Sequence, residues 1–184
     1  MTKPTLRPAA VTDIPAISAI YREAVLHGTA SFELDPPTEQ EMLQRYRTIV
    51  DAGYPYFVGE LDGAVVGYAY AGAYRTRPAY RFTVENSVYI APEAQGKGVG
   101  RALLQALIEA CTARHYRLMI AVIGDSGHQA SIGLHRRLGF RFCGTLHSVG
   151  YKFGRWLDSV IMELPLAEGD TTPPREEPPS SARR

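Results

Sequence analysis

The sequence has little of what marks several classes of protein. Its 184 residues include 2 cysteines, Cys111 and Cys143, and neither stands at a metal-binding or redox spacing, so both are predicted to be core residues and no metal is expected. The formal net charge of +1 gives no global field that would favour nucleic acid or a membrane surface as a partner. The chain begins without an apolar signal core, and no apolar run approaches the length of a bilayer span. We therefore expect a cytoplasmic protein.

The composition predicts one folded domain followed by a tail. With 45% hydrophobic and 21% charged residues, 184 residues suffice for a single domain with a full core, which we place at 1–167. The segment 168–184 is rich in proline and has no large apolar residue, so it cannot bury enough surface to offset the entropy of ordering. We predict a disordered tail over 168–184.

Alternating patterns and turn residues predict the elements. An Asp62-Gly63 pair between two apolar runs is the signal for a type I′ hairpin. Thr38 with Glu41 forms a capping box, Thr12 is the predicted N-cap of the first helix, and Gly139 is the predicted C′ residue of the last. Strands are predicted over 5–7, 56–61, 64–72, 83–90, 118–123, 140–146 and 156–164, and helices over 13–27, 39–52, 101–111 and 131–138.

A glycine-rich stretch joins the strand at 83–90 to the following helix. Gly96, Gly98 and Gly100 leave the turn without Cβ atoms, so consecutive backbone N–H groups can converge on one anion beside the positive end of the helix dipole. Lys97 and Arg101 add formal positive charge. The stretch predicts a phosphate cradle, although a tight turn with purely geometric glycines is the alternative.

Spacing separates this stretch from two other phosphate loops. A P-loop needs Ser or Thr directly after Gly-Lys, whereas Gly98 follows Lys97 here. A dinucleotide fingerprint needs Gly-x-Gly-x-x-Gly, and counting from Gly96 the last position is Arg101. Both patterns fail.

The pattern that does fit is Gln95-x-x-Gly98-x-Gly100 between strand and helix. It resembles the pyrophosphate loop of the GNAT superfamily of N-acetyltransferases, where the loop holds coenzyme A. The resemblance covers about residues 5–165. It implies an α/β GNAT fold, with a mixed, mostly antiparallel central sheet whose parallel strands splay apart, flanked by helices, and with acetyl-CoA in the gap.

Further segments resemble one branch of that superfamily, the phosphinothricin and methionine sulfoximine acetyltransferases. They are Thr-Ala-Ser-Phe at 29–32, Gly-Ala-Tyr-Arg at 72–75, Val-Glu-Asn-Ser-Val-Tyr-Ile at 84–90, Ala-Val-Ile-Gly at 121–124, Ser-Ile-Gly-Leu-His at 131–135 and Gly-Tyr-Lys-Phe-Gly-Arg-Trp-Leu-Asp at 150–158. The resemblance implies an acyltransferase that acetylates the primary amine of small amino-acid-like substrates, and a homodimer.

Two residues are candidates for proton transfer. Glu85 stands in an otherwise apolar strand, where partial burial would raise its pKa toward a useful range, and the resemblance makes it the base that takes the amine's proton. Its alternative is a salt bridge with a nearby arginine. His135 stands where many GNAT enzymes have a tyrosine that protonates the thiolate; it is either catalytic or structural.

The resemblance also assigns the binding residues. Cofactor contacts fall on Val88, Tyr89, Ile90, Gln95, Gly96, Lys97, Gly98, Val99, Gly100, Arg101 and His128. Substrate contacts fall on Phe32, Arg75, Thr76, Arg77, Glu85, Asn86 and Ser87. His128 replaces the asparagine usual in relatives, which puts that contact in doubt. Arg75 and Arg77 could bind a substrate carboxylate bidentately, although solvated charges on a loop are the alternative.

Two other functions stay open at this point. One is acetylation of a protein N-terminus or an aminoglycoside; a cationic aminoglycoside would favour an acidic cleft, whereas the segment before Thr83 is basic. The other is a coenzyme A-binding module without catalysis, which the presence of both Glu85 and His135 disfavours.

Overall fold

The computed structural model describes residues 3–174 and 176–179. Seven strands lie at β1 (Thr5–Pro8), β2 (Tyr56–Leu61), β3 (Ala64–Ala73), β4 (Thr83–Ile90), β5 (Leu118–Gly124), β6 (Arg141–Lys152) and β7 (Arg155–Pro165). Four α-helices lie at α1 (Ile14–His27), α2 (Glu39–Asp51), α3 (Val99–Thr112) and α4 (Gln129–Arg137). Short 3₁₀ turns lie at Val11–Asp13, Pro78–Tyr80 and Pro92–Ala94.

The strands form one sheet in the order β1-β2-β3-β4-β5-β7-β6. Within the described residues the pair β4 and β5 is parallel and the other pairs are antiparallel. The parallel pairing covers only Thr83 to Asn86 of β4, opposite Leu118 to Ala121 of β5. Beyond Asn86 the two strands separate while each continues to pair with its other neighbour. The predicted mixed sheet with splayed parallel strands is therefore confirmed.

Helices cover the two faces of the sheet. Tyr21 of α1 and Tyr46 of α2 place their rings 5.0 Å from Tyr89 and 5.2 Å from Tyr56, so both helices lie on one face. On the other face, Leu103 of α3 packs against Gly67 of β3, where a Cβ would meet its side chain at 3.3 Å. Burial of apolar surface on both faces is the main stabilising contribution to such a layered domain.

Local signals fixed several boundaries. Thr38 caps α2 through the predicted box: its Oγ1 accepts from the Glu41 N–H at 3.2 Å, and a Glu41 carboxylate oxygen accepts from the Thr38 N–H at 2.7 Å. Asp62 and Gly63 have φ values of 50° and 81°, as a type I′ turn requires. Gly139 has φ 93° and ends α4 as predicted.

The start of α1 differs from the prediction. The helix begins at Ile14, after a 3₁₀ turn, and Thr12 is not its N-cap. Asp13 holds this corner instead, because its carboxylate accepts from the Ala10 N–H at 2.8 Å and forms two hydrogen bonds of 2.7 Å with the Arg7 guanidinium. The Arg7 guanidinium holds the pKa of Asp13 below its usual range.

The last hairpin is longer than predicted. β6 continues past Leu146 to Lys152, and only Phe153 and Gly154, with φ 52° and 73°, form the turn. Irregularities between Phe142 and Gly144 and between Leu146 and Gly150 break the alternation that would otherwise have revealed one long strand.

The cysteine prediction was right for one residue. Cys111 is fully buried on the inner face of α3, as expected, whereas Cys143 is exposed. Cys143 lies on β6, the edge strand of the sheet, next to one of its irregularities.

The C-terminal segment has defined contacts where it is described. Arg117 donates to the Thr172 carbonyl at 3.0 Å, and Arg81 pairs with Glu177 at 2.8 Å. Position 175 and residues 180–184 of the predicted disordered tail lie outside the described residues, and the tail stays a prediction. Among the described helices, none combines the length and apolar character needed to cross a membrane.

Candidate active site

A cleft of about 1310 Å³ opens where β4 and β5 separate. Its walls are β4, the glycine loop, the first turns of α4, the end of β5 and the loop 28–33. The predicted site residues that line this cleft are Phe32, Glu85, Asn86, Ser87, Val88, Tyr89, Ile90, Gln95, Gly96, Gly98, Gly100, Arg101, His128 and His135. Residues far apart in the sequence therefore meet in one cavity, as ligand sites in α/β folds commonly do.

The glycine loop forms one end of the cleft. Gly96 and Gly98 have φ values of 74° and 83°, a region that disfavours residues with a side chain. A Cβ at either position would meet no protein atom within 4 Å, so the space beside the backbone is open to a ligand. Gly98 is the N-cap of α3, whose first N–H groups have no acceptor within the helix. This arrangement fits the pyrophosphate of coenzyme A.

Of the two cationic side chains predicted beside the glycine loop, Arg101 lines the cleft and Lys97 does not. Arg101 is exposed and lines the cleft. Lys97 is exposed outside the cleft lining, and Val99 is buried beneath the loop, with 1% of its surface exposed. Arg137 also lines the cleft. Arg137 was not predicted, because the helical pattern of α4 alone does not tell which of its basic residues faces a ligand.

Strand β4 presents its two faces to different surroundings. Side chains alternate along a strand, so Glu85, Ser87 and Tyr89 share one face. Tyr89 contacts Tyr21 of α1 there. Asn86 and its alternate neighbours face α3 and α4 on the other side. One strand thus contributes to both sides of the cleft.

Glu85 is half-buried on this strand. Burial raises the pKa of its carboxyl group above the usual range because desolvation disfavours the charged form. Within residues 3–174 and 176–179 no ion pair involves Glu85, while Arg81, close by in the sequence, pairs with Glu177. The salt-bridge alternative therefore has no partner in the described chain, and the role of Glu85 as a base stays a prediction.

His135 is buried, with 3% of its surface exposed, and both ring nitrogens face oxygen atoms. Nδ1 lies 2.8 Å from the Ser131 carbonyl and Nε2 lies 3.0 Å from Oδ1 of Asn86. The Asn86 amide donates to the Ile120 carbonyl at 3.1 Å, so its oxygen is left to accept. Burial lowers the pKa of His135, and a neutral ring has one N–H for these two acceptors.

His128 is the N-cap residue of α4 and lines the cleft. Its Nδ1 is buried and has no hydrogen-bond partner among the residues the structure describes. Burial lowers the pKa of this imidazole, so the ring is neutral near pH 7 and can accept or donate one hydrogen bond. An unpaired buried nitrogen beside the cleft is suited to a polar group of a ligand.

The loop 28–33 forms the wall on the α1 side. Phe32 lines the cleft there, with 37% of its surface exposed. Ser31 Oγ lies 2.9 Å from the Tyr21 hydroxyl, which also donates to Glu33 at 2.9 Å. Ser31, in the segment 29–32 that carried the resemblance, and Glu33, just after it, flank Phe32, but sequence alone did not show that they line the cleft.

The predicted substrate arginines lie elsewhere. Arg75, Thr76 and Arg77 are exposed on the segment that joins β3 to β4, and none of them lines the cleft. The Arg75 guanidinium lies 5.2 Å from the ring centre of Tyr74 and 5.7 Å from that of Tyr80. Their role in substrate binding stays a prediction.

Comparison with known proteins identifies the family. The sequence model of the acetyltransferase (GNAT) family matches residues 17–140. The chain belongs to the GNAT family. A phosphinothricin N-acetyltransferase of Alcaligenes faecalis is 56% identical over 170 residues, which are 92% of this chain and 86% of that protein. An L-methionine sulfoximine/L-methionine sulfone acetyltransferase of Pseudomonas aeruginosa is 45% identical over 88% of this chain and 94% of its own.

A solved GNAT structure has the same fold. The phosphinothricin acetyltransferase of Sinorhizobium meliloti, crystallised in complex with AcCoA, superposes with a TM-score of 0.92. It is 53% identical and covers 96% of this chain and 95% of its own. The GNAT fold and the branch inferred from the sequence are both confirmed.

Proposed function

We propose that this GNAT protein is an acetyl-CoA-dependent N-acetyltransferase of small amino-acid-like amines, such as phosphinothricin and methionine sulfoximine or sulfone. The observation that carries the proposal is Glu85, a half-buried carboxylate of raised pKa without an ion-pair partner in the described chain, in a cleft of about 1310 Å³. The relatives from Alcaligenes faecalis, Pseudomonas aeruginosa and Sinorhizobium meliloti support the substrate class through the activities for which they are named.

The cofactor residues follow from the fit of the cleft. Gln95 to Arg101 would hold the pyrophosphate, and His128 would contact another polar group of acetyl-CoA. The edge of β4 that faces β5 has no strand partner from Ser87 to Ile90, so its backbone groups can bind the pantetheine arm. When bound, acetyl-CoA supplies a thioester whose carbonyl carbon is open to attack by an amine.

Glu85 supplies the base in this proposal. An alkylamine is mostly protonated near pH 7 and must lose a proton before it can attack. A carboxylate of raised pKa takes up that proton more readily than an ordinary surface glutamate would. Glu85 therefore holds the proton that leaves the amine nitrogen.

His135 is proposed to provide or relay the proton that the coenzyme A sulfur takes up. Because Nδ1 faces the Ser131 carbonyl and Nε2 faces Oδ1 of Asn86, the ring must turn away from one of these oxygens for a transfer. The alternative is a positioning role, in which His135 fixes Asn86 between β4 and α4.

Substrate contacts are proposed for Phe32, for Glu85 to Ser87, and for Arg75 to Arg77. Phe32 would form the wall against the substrate side chain. Arg75 and Arg77 would bind the carboxylate that an amino acid brings. Since these arginines lie outside the cleft, their contribution requires the segment 74–82 to approach the substrate or to act from a second copy of the chain.

The homodimer and the cytoplasmic location are also proposals. Support for a dimer comes from large apolar side chains on the last hairpin, including Phe142, Leu146 and Trp156 with 59%, 55% and 63% of their surface exposed. Exposed apolar patches of this kind commonly mark contact surfaces. Sedimentation or light scattering measures the oligomeric state directly.

A thiol-release assay tests the function. The protein is incubated with acetyl-CoA and each of a panel of amines: phosphinothricin, methionine sulfoximine, methionine sulfone, common L-amino acids, an aminoglycoside and a peptide with a free N-terminus. We expect turnover with the amino-acid-like compounds. Turnover restricted to the peptide or the aminoglycoside, or acetyl-CoA binding with no turnover of any amine, would contradict the proposal.

A further inference from the structure

Lys152, at the end of β6, is an ammonium group buried without an ion-pair partner in the part of the chain that the structure describes. Only 4% of its surface is exposed. Its Nζ donates to the carbonyl oxygens of Gly28 at 2.9 Å and Ser31 at 2.8 Å. Burying a charged group against neutral carbonyls costs free energy, so a purely structural position would favour an apolar residue. Burial lowers the pKa of Lys152 accordingly.

The two carbonyls belong to the wall loop, by which we mean residues 28–33. This loop has no helix or strand of its own, and its residues line the cleft. Lys152 lies more than 120 positions further along the chain and joins the loop to the last hairpin. A short peptide segment held at two carbonyls by one ammonium group has little freedom to move toward or away from β6.

Phe32 is held within the same loop by two glycines. A Cβ at Gly150 would lie 2.5 Å from Cε2 of Phe32, and one at Gly124 would lie 2.9 Å from Cε1. The two edges of the ring therefore fit against backbone that carries no side chain. The rest of the ring is exposed toward the cleft.

We propose that Lys152 is a positioning residue for the amine substrate: it holds the wall loop against β6, so that Phe32 packs against the substrate side chain while the amine lies at Glu85. The inference rests on the proposed function. It assigns Lys152, with Gly124 and Gly150, to substrate selection, and it assigns none of them to proton transfer or acetyl-CoA binding.

The Lys152→Met variant removes the charge and nearly keeps the length of the side chain. We expect KM for methionine sulfone to rise about tenfold, as for loss of hydrogen bonds from a charged donor, with KM for acetyl-CoA changed less than about twofold. Hydrogen exchange of the amides in the wall loop should accelerate. The melting temperature should change little, because removal of the desolvated charge offsets the loss of the two hydrogen bonds to the carbonyls.

The matched control is Arg47→Met, which removes a positive charge from an exposed position on α2 and should change none of these quantities. A second variant, Gly150→Ala, keeps Lys152 and displaces only the Phe32 ring, since Gly150 has no left-handed backbone to strain. It should also raise KM for methionine sulfone and leave KM for acetyl-CoA unchanged.

Two results would overturn the inference. One is unchanged amine KM together with unchanged exchange of the wall loop in Lys152→Met. The other is an equal rise in both KM values together with a lower melting temperature, which indicates a general structural role. The exchange measurement needs no turnover, so failure of the proposed function can be told apart from failure of this inference. In that case the unaltered protein acetylates no amine, while Lys152→Met still accelerates exchange in the wall loop.

Discussion

Replacing Glu85 with glutamine tests whether this carboxylate is the base of the proposed acetyl transfer. Glutamine keeps the size and one hydrogen-bonding oxygen of the side chain but cannot take up a proton. Positioned bases contribute about 10²- to 10⁴-fold to rates, so kcat should fall by that factor. Because Glu85 lies outside the glycine loop, the Kd of acetyl-CoA should change less than about twofold, a bound that corresponds to less than about 0.4 kcal/mol.

The pH dependence gives the same variant a second signature. Burial raises the pKa of Glu85, and the base is active only when ionised. In the unaltered protein kcat/KM should therefore fall as the pH falls through this raised pKa, and Glu85→Gln should lose that acidic limb.

The contribution of Glu85 to folding stability falls with rising pH, whereas its contribution to the rate increases. The folded state binds the Glu85 proton more tightly than the unfolded state, so this group reduces stability as pH rises from its unfolded to its folded pKa. At pH 7 to 8 the uncharged Glu85→Gln variant should melt no lower than the unaltered protein.

The assay is stopped-flow or continuous thiol release with methionine sulfone over a pH series, paired with calorimetric titration of acetyl-CoA and thermal melts. An unchanged kcat, or an acidic limb that persists in Glu85→Gln, would refute Glu85 as the base. A large loss of acetyl-CoA affinity would instead show that Glu85 shapes the cofactor site.

Substitutions at five further residues probe the rest of the proposed site. Gly98→Ala forces a side chain into a φ of 83°, at a cost of about 1 to 2 kcal/mol, and should raise KM for acetyl-CoA but not for the amine. A KM for acetyl-CoA equal to that of the unaltered protein would argue against the phosphate cradle. If the His135 ring moves a proton, His135→Gln should lower kcat and remove the basic limb of the pH profile. If the ring only positions Asn86, Asn86→Ala should lower kcat as His135→Gln does, and the basic limb should remain. Arg75→Ala and Arg77→Ala should raise KM for amino acids and leave KM for amines without a carboxylate unchanged; no difference between the two kinds of amine would remove the carboxylate clamp.

Sequence alone predicted the elements whose signals are local. The strand Thr83–Ile90, the capping box at Thr38 and the hairpin turn at Asp62-Gly63 all depend on neighbouring residues, and all three agree with the structure. The glycine loop was recognisable for the same reason, since its requirement for positive φ at Gly98 is a property of the residue itself.

Features that depend on distant contacts were not predictable. Lys152 falls in the sequence between the two predicted closing strands, as one more charge in a turn, and only the fold brings it to Gly28 and Ser31. The full length of β6 was hidden because its irregularities interrupt the alternation on which strand prediction depends. The position of Arg75 outside the cleft follows from the conformation of a loop, which no periodic pattern encodes.

The functional roles came from resemblance rather than from pattern. An acidic residue in an apolar strand indicates a special environment, but it does not distinguish a base from a structural ion pair. For Glu85 the structure shows a raised pKa and no cationic partner in residues 3–174 and 176–179, and the role of base stays a prediction.

The alternation of side chains along β4 has a kinetic consequence. Glu85 and the wall loop lie on one side of this strand, and Asn86 with α4 lies on the other. We therefore expect the amine and acetyl-CoA to enter from different directions, so that neither has to leave before the other arrives. Cys111 lies on the buried face of α3 and Cys143 on the edge strand β6, and neither lines the cleft, so neither thiol is placed to carry an acetyl group between half-reactions. For the proposed acetyl transfer we therefore expect direct transfer within a ternary complex, and double-reciprocal rate plots should intersect rather than run parallel.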